Sequence, residues 1–484
     1  MSDSLAYAGA LTQARLIRER EVSPVELVKL YLDRIEAYDG PIHSYLTVAT
    51  ESALEAARRA EATVGDPDRP PFHGVPISIK DLNPTAGIRT TFGLNNFREH
   101  VPAADDHIVS RLKAAGFIIL GKTNTPEVGL SCETDPPAYG PTRNPWNLER
   151  IPGGSSGGAA AALAAGLCPV AHGSDGAGSI RIPAALCGVV GLKPSRGRIL
   201  SPPGEISLTA VEGPLAWNVA DAAAVLDVMT GPALGPNLWG LPPEPAFLPQ
   251  IDRPPPPLRI AVSDSGVALA PGTRRALEGA VKLLGELGHQ VHWDEPEPRW
   301  GAFFFNRLFC DSGLDVQAVT RRALMIGDIP GELLHPGNTW LLERGEQIRA
   351  VHYVMESQRL LKDMATWAAK SVELCKRYDV FLTPVVSGPP FPIGVQKKLE
   401  PYEMWRTWAE FCSFTPMASH AGQPAMSLPF DEDGEGLPVG IQIVGRPAGE
   451  AMLLRLAAQI EQARPWHQRR PRLEPRPAAS SSKP

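Results

Sequence analysis

Strand-like and helix-like patterns alternate over residues 70–230, and this alternation restricts the folds open to the chain. Residues 74–81 and 117–122 are short apolar stretches of the kind that form buried strands. Residues 107–116 have the pattern of a helix, and another helix follows the glycine-rich stretch at 153–158. Strands that alternate with helices are typical of α/β proteins. We therefore predict an α/β fold.

Strand patterns return at 258–262, 380–384 and 440–444, after a connection at 231–257 that is rich in proline and glycine. Core elements that return so late favour one large domain over a string of small ones. We divide the chain into an N-terminal helical segment (1–70), a core (71–230), a variable region (231–400), a C-terminal return to the core (401–470) and a disordered tail (471–484).

The first clear helix begins after Ser23, which can cap it. Pro24 suits the first helical position, and Glu26 completes a capping box. Apolar residues follow with a period of about 3.6, which indicates one buried face. Gly40 is expected to end this helix.

Charge and composition exclude several classes of function. The 484 residues carry a net charge of −6 and contain no lysine- or arginine-rich block, which argues against a nucleic-acid partner. None of the six cysteines belongs to a CxxC pair, so zinc-ribbon and thioredoxin-like sites are not expected. We find neither a secretory signal nor an apolar stretch long enough to span a membrane, and we expect a cytoplasmic protein without a membrane partner.

Lys80 is the first candidate for a catalytic residue, since it lies near the end of the apolar strand at 74–81. Such a lysine is often exposed or an ion-pair partner, here of Asp81. If the amine is buried, however, loss of water disfavours the ammonium and lowers its pKa from about 10.4 toward neutrality. A neutral lysine can then act as a general base.

The glycine-rich stretch at 153–158, with Ser155 and Ser156, is the second candidate. A phosphate-binding loop is excluded because no Gly-Lys-Ser/Thr follows. The stretch also matches the Gly-x-Ser-x-Gly elbow of α/β-hydrolases, but that motif needs a strand directly before it. An esterase of this kind would use Ser155 as nucleophile and a later histidine such as His420.

The third candidate is the stretch at 174–181, where small residues precede Ser179. Successive backbone N–H groups in such a turn can stabilise a developing oxyanion. The simpler interpretation is an ordinary tight turn, in which Asp175 and Arg181 form a bracing ion pair.

Together these stretches resemble the amidase signature family. The resemblance rests on GVPISIKD, GGSSGG and SDGAGSIRIPAALCGVVGLKP, and on the stretches at 121–127, 140–146 and 422–429. The spacings between Lys80, Ser155 and Ser179, of 75 and 24 positions, match that family's Lys–Ser–Ser arrangement. The resemblance implies the amidase-signature fold, a mixed twisted β-sheet covered by helices on both faces.

The resemblance also implies a mechanism for hydrolysing amides. Ser179 would be the nucleophile, Ser155 would follow a cis peptide bond and bridge to Lys80, and Lys80 would accept the proton. The oxyanion hole would be formed by backbone amides of four consecutive residues, Gly176, Ala177, Gly178 and Ser179. No metal or other cofactor is implied.

Within the family, the chain is most similar to hydrolases that open the cyclic dimer of 6-aminohexanoate. This group shares Ala177 and a cysteine before aspartate, here Cys310, which we predict to line the substrate pocket. Cys132 lies in a stretch that departs from the family's usual small polar run and is a second predicted pocket residue. The region 231–400 is expected to shape substrate choice.

Other functions remain open. Within the family, these are an aryl or aliphatic amidase, a carbamate hydrolase, an esterase and the ammonia-releasing component of glutamyl-tRNA amidotransferase. That component usually has glutamine where this chain has Ile182. A non-catalytic binding protein on the same scaffold is the remaining alternative. A small-molecule amide is the expected partner, and a homodimer stays open.

Overall fold

The computed structural model describes residues 3–199, 209–231, 245–294, 335–346 and 350–475. Its strands are β1 (Tyr45–Val48), β2 (Pro76–Lys80), β3 (Ile118–Thr123), β4 (Val170–Asp175), β5 (Val190–Lys193), β6 (Val211–Ala216), β7 (Arg259–Val262), β8 (Gln290–Trp293), β9 (Val380–Pro384), β10 (Ala425–Glu432) and β11 (Pro438–Gly445).

The helices precede, separate and follow these strands along the chain. They are α1 (Asp3–Ala6), α2 (Ala10–Arg18), α3 (Pro24–Ile42), α4 (Thr50–Ala62), α5 (His107–Ala114), α6 (Gly157–Ala164), α7 (Arg181–Cys187), α8 (Val219–Met229), α9 (Pro271–Glu286), α10 (Pro336–Glu346), α11 (Ala350–Arg377), α12 (Pro401–Phe411), α13 (Pro416–Ala421) and α14 (Glu450–Ala463). Short 3₁₀ turns occur at Asn95–Phe97, Glu127–Gly129, Leu248–Gln250 and Gln396–Lys398.

All these strands join one mixed sheet, in the order β1-β3-β2-β4-β6-β5-β10-β11-β9-β7-β8. The strand β2 runs parallel to both of its neighbours, β3 and β4. The strand β7 is likewise parallel to β8 and β9, while the other pairs are antiparallel. The predicted α/β class and mixed sheet are confirmed.

Helices cover both faces of this sheet because alternate residues of a strand point to opposite sides. In β3, Ile119 packs into one core cluster with helices α2, α5, α8, α9 and α14. Its neighbours Ile118 and Leu120 pack into another cluster with α3, α4 and α6. Among the described residues, no helix is long and apolar enough to cross a membrane.

The helix α3 begins as predicted and ends later. The Ser23 hydroxyl accepts from the Glu26 N–H, and the Glu26 carboxylate accepts from the Ser23 N–H, so the capping box is present. Gly40 does not end the helix, which continues to Ile42 and stops at His43 in the left-handed conformation. Burial of Ile42 in the core holds this extra half-turn in place.

Of the predicted disordered tail (471–484), the structure describes residues 471–475. Leu473 packs against the core cluster that contains Ile118 and Leu120. Residues 476–484 lie outside the described residues, as do residues 232–244 of the predicted connection at 231–257.

A fully buried ion pair ties β4 to α7 and to β11. Arg181 donates through Nε and Nη2 to the two carboxylate oxygens of Asp175, at 2.9 and 2.8 Å. Its Nη1 also donates to the side chain of Gln442 in β11, at 2.6 Å. Burial raises the pKa of Asp175, but the adjacent guanidinium outweighs it and lowers the pKa to about 2. The predicted bracing pair is therefore present.

Replacing Ser23 by alanine should reduce the free energy of unfolding by about 1 kcal/mol, because the N–H of Glu26 loses its acceptor. Chemical denaturation measures this change. Ser110→Ala, at an exposed position of α5, is the control and should change stability little, because alanine favours a helix. Equal losses in both variants would contradict the role of the cap.

Replacing Arg181 by methionine should cost about 3–5 kcal/mol of unfolding free energy, because it leaves the Asp175 carboxylate buried without its cation. Denaturation by urea measures the loss. The matched control is Arg274→Met, which breaks a partly exposed pair with Asp264 and should cost less than about 1 kcal/mol. A similar cost in both would show that burial does not set the strength of the Arg181 pair.

Candidate active site

The candidate site lies where the parallel strands β2 and β4 end. Carboxyl ends of parallel strands meet at one edge of a sheet, which is where α/β proteins place their ligands. Lys80 is the last residue of β2, and Ser174 and Asp175 are the last residues of β4. Sheet pairing therefore brings together side chains that are 94 positions apart in sequence.

The Lys80 amine is buried and held by hydroxyl groups. Its Nζ donates to Ser155 Oγ at 2.7 Å and to Ser174 Oγ at 3.0 Å. Burial lowers its pKa to about 7, while the carboxylates of Glu212 and Asp175 oppose that shift. The amine is therefore available as a neutral base near pH 7. Asp81, the alternative partner considered above, forms an ion pair with Lys122 instead, at 3.5 Å.

Burial alone does not single out Lys80, because two other lysines are also enclosed. Burial lowers the pKa of Lys122 to about 8 and that of Lys193 to about 7. Lys122 donates to the hydroxyl of Thr90 and a backbone carbonyl, and Lys193 donates to the Pro194 carbonyl. The contact with Ser155 is what distinguishes Lys80.

Ser155 lies in a loop whose backbone is held on both sides. The peptide bond between Gly154 and Ser155 is cis. Ser156 donates its N–H to the Ser179 carbonyl at 3.1 Å and its hydroxyl to the Ser174 carbonyl at 3.2 Å. No strand directly precedes this loop in the described chain, so it is not the elbow of an α/β-hydrolase.

The proposed acid–base partner of that alternative is also misplaced. His420 lies in α13, where its Nδ1 contacts the carbonyl of Pro416 at 2.5 Å. Burial lowers its pKa to about 3. His420 thus hydrogen-bonds within its own helix, and the strand that the α/β-hydrolase elbow requires does not directly precede Ser155 in the described chain.

Two features fix the backbone of the turn that carries Ser179, a hydrogen bond to Ala177 and the conformation of Gly178. The Thr415 hydroxyl donates to the Ala177 carbonyl at 2.6 Å. Gly178 has a φ of +130°, and a side chain there would collide with Thr415 and Ile182, so only glycine fits. Ser179 itself is half-buried, as are Gly176 and Ala177, so this side of the turn is open.

The four backbone N–H groups of the predicted oxyanion hole differ in their partners. The Gly178 N–H donates to Asp175 Oδ1 at 2.7 Å and is therefore already occupied. Within the described chain, the N–H groups of Gly176, Ala177 and Ser179 have no intramolecular acceptor. The oxyanion hole of Gly176, Ala177, Gly178 and Ser179 stays a prediction, in which the Gly178 N–H already has an acceptor.

The structure joins only part of the predicted relay. Lys80 bonds directly to Ser155, and the carbonyl of Ser179 accepts from the residue after Ser155. Among the described residues, however, no hydrogen bond joins the hydroxyls of Ser155 and Ser179. Rotation about the Cα–Cβ bond changes the direction of a serine hydroxyl, and Ser179 is open enough to allow it.

An apolar wall lies beside this turn. Cys132, Ile182 and Trp408 belong to one buried cluster, and Ala177 and Trp340 pack against it. The structure thus brings the predicted pocket residue Cys132 into the cluster that Ala177 contacts. Cys310 lies outside the described residues. The described part of the chain contains no group of side chains that could hold a metal ion.

Sequence reasoning missed Ser156, Ser174 and Glu212. Ser156 and Ser174 lie inside the motifs that carry the family resemblance, and their polarity was the available signal. Glu212 lies in β6 and gives no local signal, because its proximity to Lys80 depends on the pairing of β6 with β4.

Comparison with known proteins agrees with this arrangement. The model of the Amidase family matches residues 26–454. A putative amidase of Synechocystis is 38% identical over 94% of this chain and 88% of its own length. The 6-aminohexanoate-cyclic-dimer hydrolase of Paenarthrobacter ureafaciens is 36% identical over 98% of both chains.

A solved structure of 6-aminohexanoate cyclic dimer hydrolase, complexed with substrate, superposes with a TM-score of 0.87 at 32% identity. The match covers 96% of this chain and 99% of that one. The family match, the shared fold and these relatives show that the chain belongs to the amidase signature family and is an amidohydrolase.

Proposed function

We propose that this enzyme hydrolyses amide bonds through an acyl-enzyme on Ser179, with Ser155 and Lys80 as its proton relay. The observation that carries the proposal is the 2.7 Å hydrogen bond between Lys80 Nζ and Ser155 Oγ, made by an amine without access to water. A neutral amine in this position accepts a proton from Ser155, which in turn takes one from Ser179.

In the acylation step, the deprotonated Ser179 oxygen attacks the amide carbonyl carbon. Negative charge develops on the carbonyl oxygen, and the N–H groups of Gly176, Ala177 and Ser179 stabilise it. The relay then runs in reverse, and Ser155 gives a proton to the leaving nitrogen as the C–N bond breaks. The amine product departs and leaves an ester on Ser179.

In the deacylation step, water attacks this ester. The same relay takes a proton from water through Ser155 to Lys80 and returns one to the Ser179 oxygen as it leaves. Lys80 takes up one proton and gives one back in each of the two steps, so it begins and ends each cycle neutral.

For the substrate, we propose cyclic or linear amide oligomers such as the 6-aminohexanoate cyclic dimer. The support is the similarity to hydrolases of that dimer over nearly the whole chain. The buried apolar cluster that contains Cys132 and Ile182, and against which Ala177 packs, lies beside the turn of Ser179 and favours a substrate with methylene chains.

A fluorophosphonate probe tests the proposed roles without knowledge of the substrate, because it reacts with an activated serine. Ser179→Ala should abolish labelling, since it removes the attacking oxygen. Ser155→Ala and Lys80→Met should slow labelling by about 10²–10⁴-fold, since the first breaks the proton relay and the second removes its general base. Intact-protein mass spectrometry over a time course measures the rates.

The matched control is Lys193→Met, which removes another buried lysine whose pKa is lowered to about 7. It should leave the labelling rate within about threefold of the parent enzyme, because this amine contacts a backbone carbonyl and no serine. Labelling of Ser179→Ala at the parent rate, or equal losses from both lysine variants, would refute the relay.

The purified chain should cleave cyclic and linear 6-aminohexanoate oligomers with a kcat/KM at least about tenfold above that for anilides, carbamates, short esters or glutamine. A tenfold preference corresponds to about 1.4 kcal/mol of differential transition-state binding. Chromatography of the products measures each rate, and Ser179→Ala gives the background. Preference for glutamine would favour the amidotransferase role, and preference for another panel member would replace the proposed substrate.

A further inference from the structure

Glu212 lies directly beside the contact between Lys80 and Ser174, although no motif contains it. In the antiparallel pair of β4 and β6, Ser174 lies opposite Glu212. Residues that lie opposite each other in such a pair point to the same face of the sheet. Since Ser174 Oγ accepts from Lys80 Nζ at 3.0 Å, pairing places the Glu212 carboxylate next to the base.

Two neighbours hold the carboxylate in this position. His172 Nε2, two residues before Ser174 on the same face, lies 2.9 Å from Glu212 Oε2. Asn83, three residues after Lys80, donates its side-chain N–H to Glu212 Oε1 at 3.2 Å. The Glu212 side chain is 29% exposed as a whole, whereas Lys80 is fully buried.

The charge of Glu212 is more available to Lys80 than that of Asp175. The Asp175 carboxylate is neutralised by Arg181 and also accepts from the Gly178 and Ile180 N–H groups. Accordingly, Glu212 is the strongest of the charges that raise the pKa of Lys80 against the lowering effect of burial, and Asp175 is second. The pKa of Glu212 is itself lowered, since burial is outweighed by His172 and Lys80, so the group is charged at neutral pH.

We propose that Glu212 is a positioning residue, which keeps the Lys80 amine a strong enough base by placing one negative charge beside its contact with Ser174. This inference rests on the proposed relay and extends it to a residue outside the Lys–Ser–Ser set. Desolvation alone would leave Lys80 neutral but weakly basic, and a base is most effective when its pKa lies near the working pH. Glu212 offsets part of that desolvation.

Asn83 and Asp106 also interact with the Glu212 carboxylate, directly or through its charge. Asp106, at the start of α5, accepts from the Asn83 side chain at 3.3 Å, so Asn83 bridges two carboxylates. Burial raises the pKa of Asp106, and the charge of Glu212 raises it further. Together with His172 and Lys80, these groups are the charged and titratable neighbours that face Glu212 in the described chain.

The test is the pH dependence of fluorophosphonate labelling in Glu212→Gln. In the parent enzyme the rate should rise with pH through about 7, because only the neutral amine accepts a proton. Removing the negative charge lowers the pKa of Lys80, so this rise should move to lower pH by about one unit. The plateau rate at high pH should fall several-fold, because the amine is then a weaker base.

Three variants make the result specific. Glu212→Asp keeps the charge and should keep the midpoint within about 0.3 units of the parent. Glu461→Gln removes a half-buried carboxyl that accepts from the Val219 N–H, and should leave the profile unchanged. Glu212→Thr is the second neutral variant, suited to a strand, if Glu212→Gln does not fold.

An unmoved midpoint in a folded neutral variant, whatever the plateau rate, would overturn the inference and leave Glu212 a structural residue. A midpoint that moves to higher pH would also overturn it. Lys80→Met separates this outcome from failure of the relay itself. If Lys80→Met labels at the parent rate, the proposed function fails. If it is inactive while Glu212→Gln keeps its midpoint, only the role of Glu212 fails.

Discussion

The proposed chemistry depends on one desolvated amine. Lys80 ends a strand that is buried on both sides by parallel neighbours, and the hydroxyls of Ser155 and Ser174 take the place of water around its nitrogen. Hydroxyl groups can accept from an ammonium and can also donate to a neutral amine, so they fit both protonation states. A carboxylate in direct contact would instead fix the proton on lysine. The absence of a direct ion pair at Lys80, within the described chain, therefore suits Lys80 to its proposed role as a base.

Asp175, at the end of β4, is a buried group that does have a direct ion pair. Asp175 is as deeply buried as Lys80, yet it is fully compensated by Arg181 and by backbone N–H groups. Its charge is fixed and its role is to hold the turn that presents Ser179. Asp175 is thus paired and structural, whereas Lys80 has no direct ion pair in the described chain and exchanges a proton in the proposed relay. Asp175 and Lys80 are equally buried and differ in the partners that surround them.

Much of this arrangement follows from local sequence. The strands β2, β3 and β9 fall where the apolar stretches predict them, and Ser23 and Glu26 cap α3 as expected. The spacing of Lys80, Ser155 and Ser179 points to a joint site only through the family resemblance. Other features depend on tertiary structure and could not be predicted locally. The helix α3 ends where it does because Ile42 is buried. The Gly178 N–H is occupied because the Asp175 side chain points toward it. Glu212 is placed by strand pairing across 38 positions, which no local pattern encodes.

The wall of the site has a different origin from its base and nucleophile. Lys80, Ser174 and Ser179 are positioned by β2, β4 and the turn after β4. The apolar wall instead draws on α10 through Trp340 and on α12 through Trp408. Glu127 holds α10 against the core by accepting from the His335 N–H at 2.5 Å and the Asn338 side chain at 3.3 Å. Because these helices contribute to the cluster that Ala177 packs against and supply none of the proposed reacting atoms, we expect substitutions in them to change which amide fits while the proposed relay stays intact.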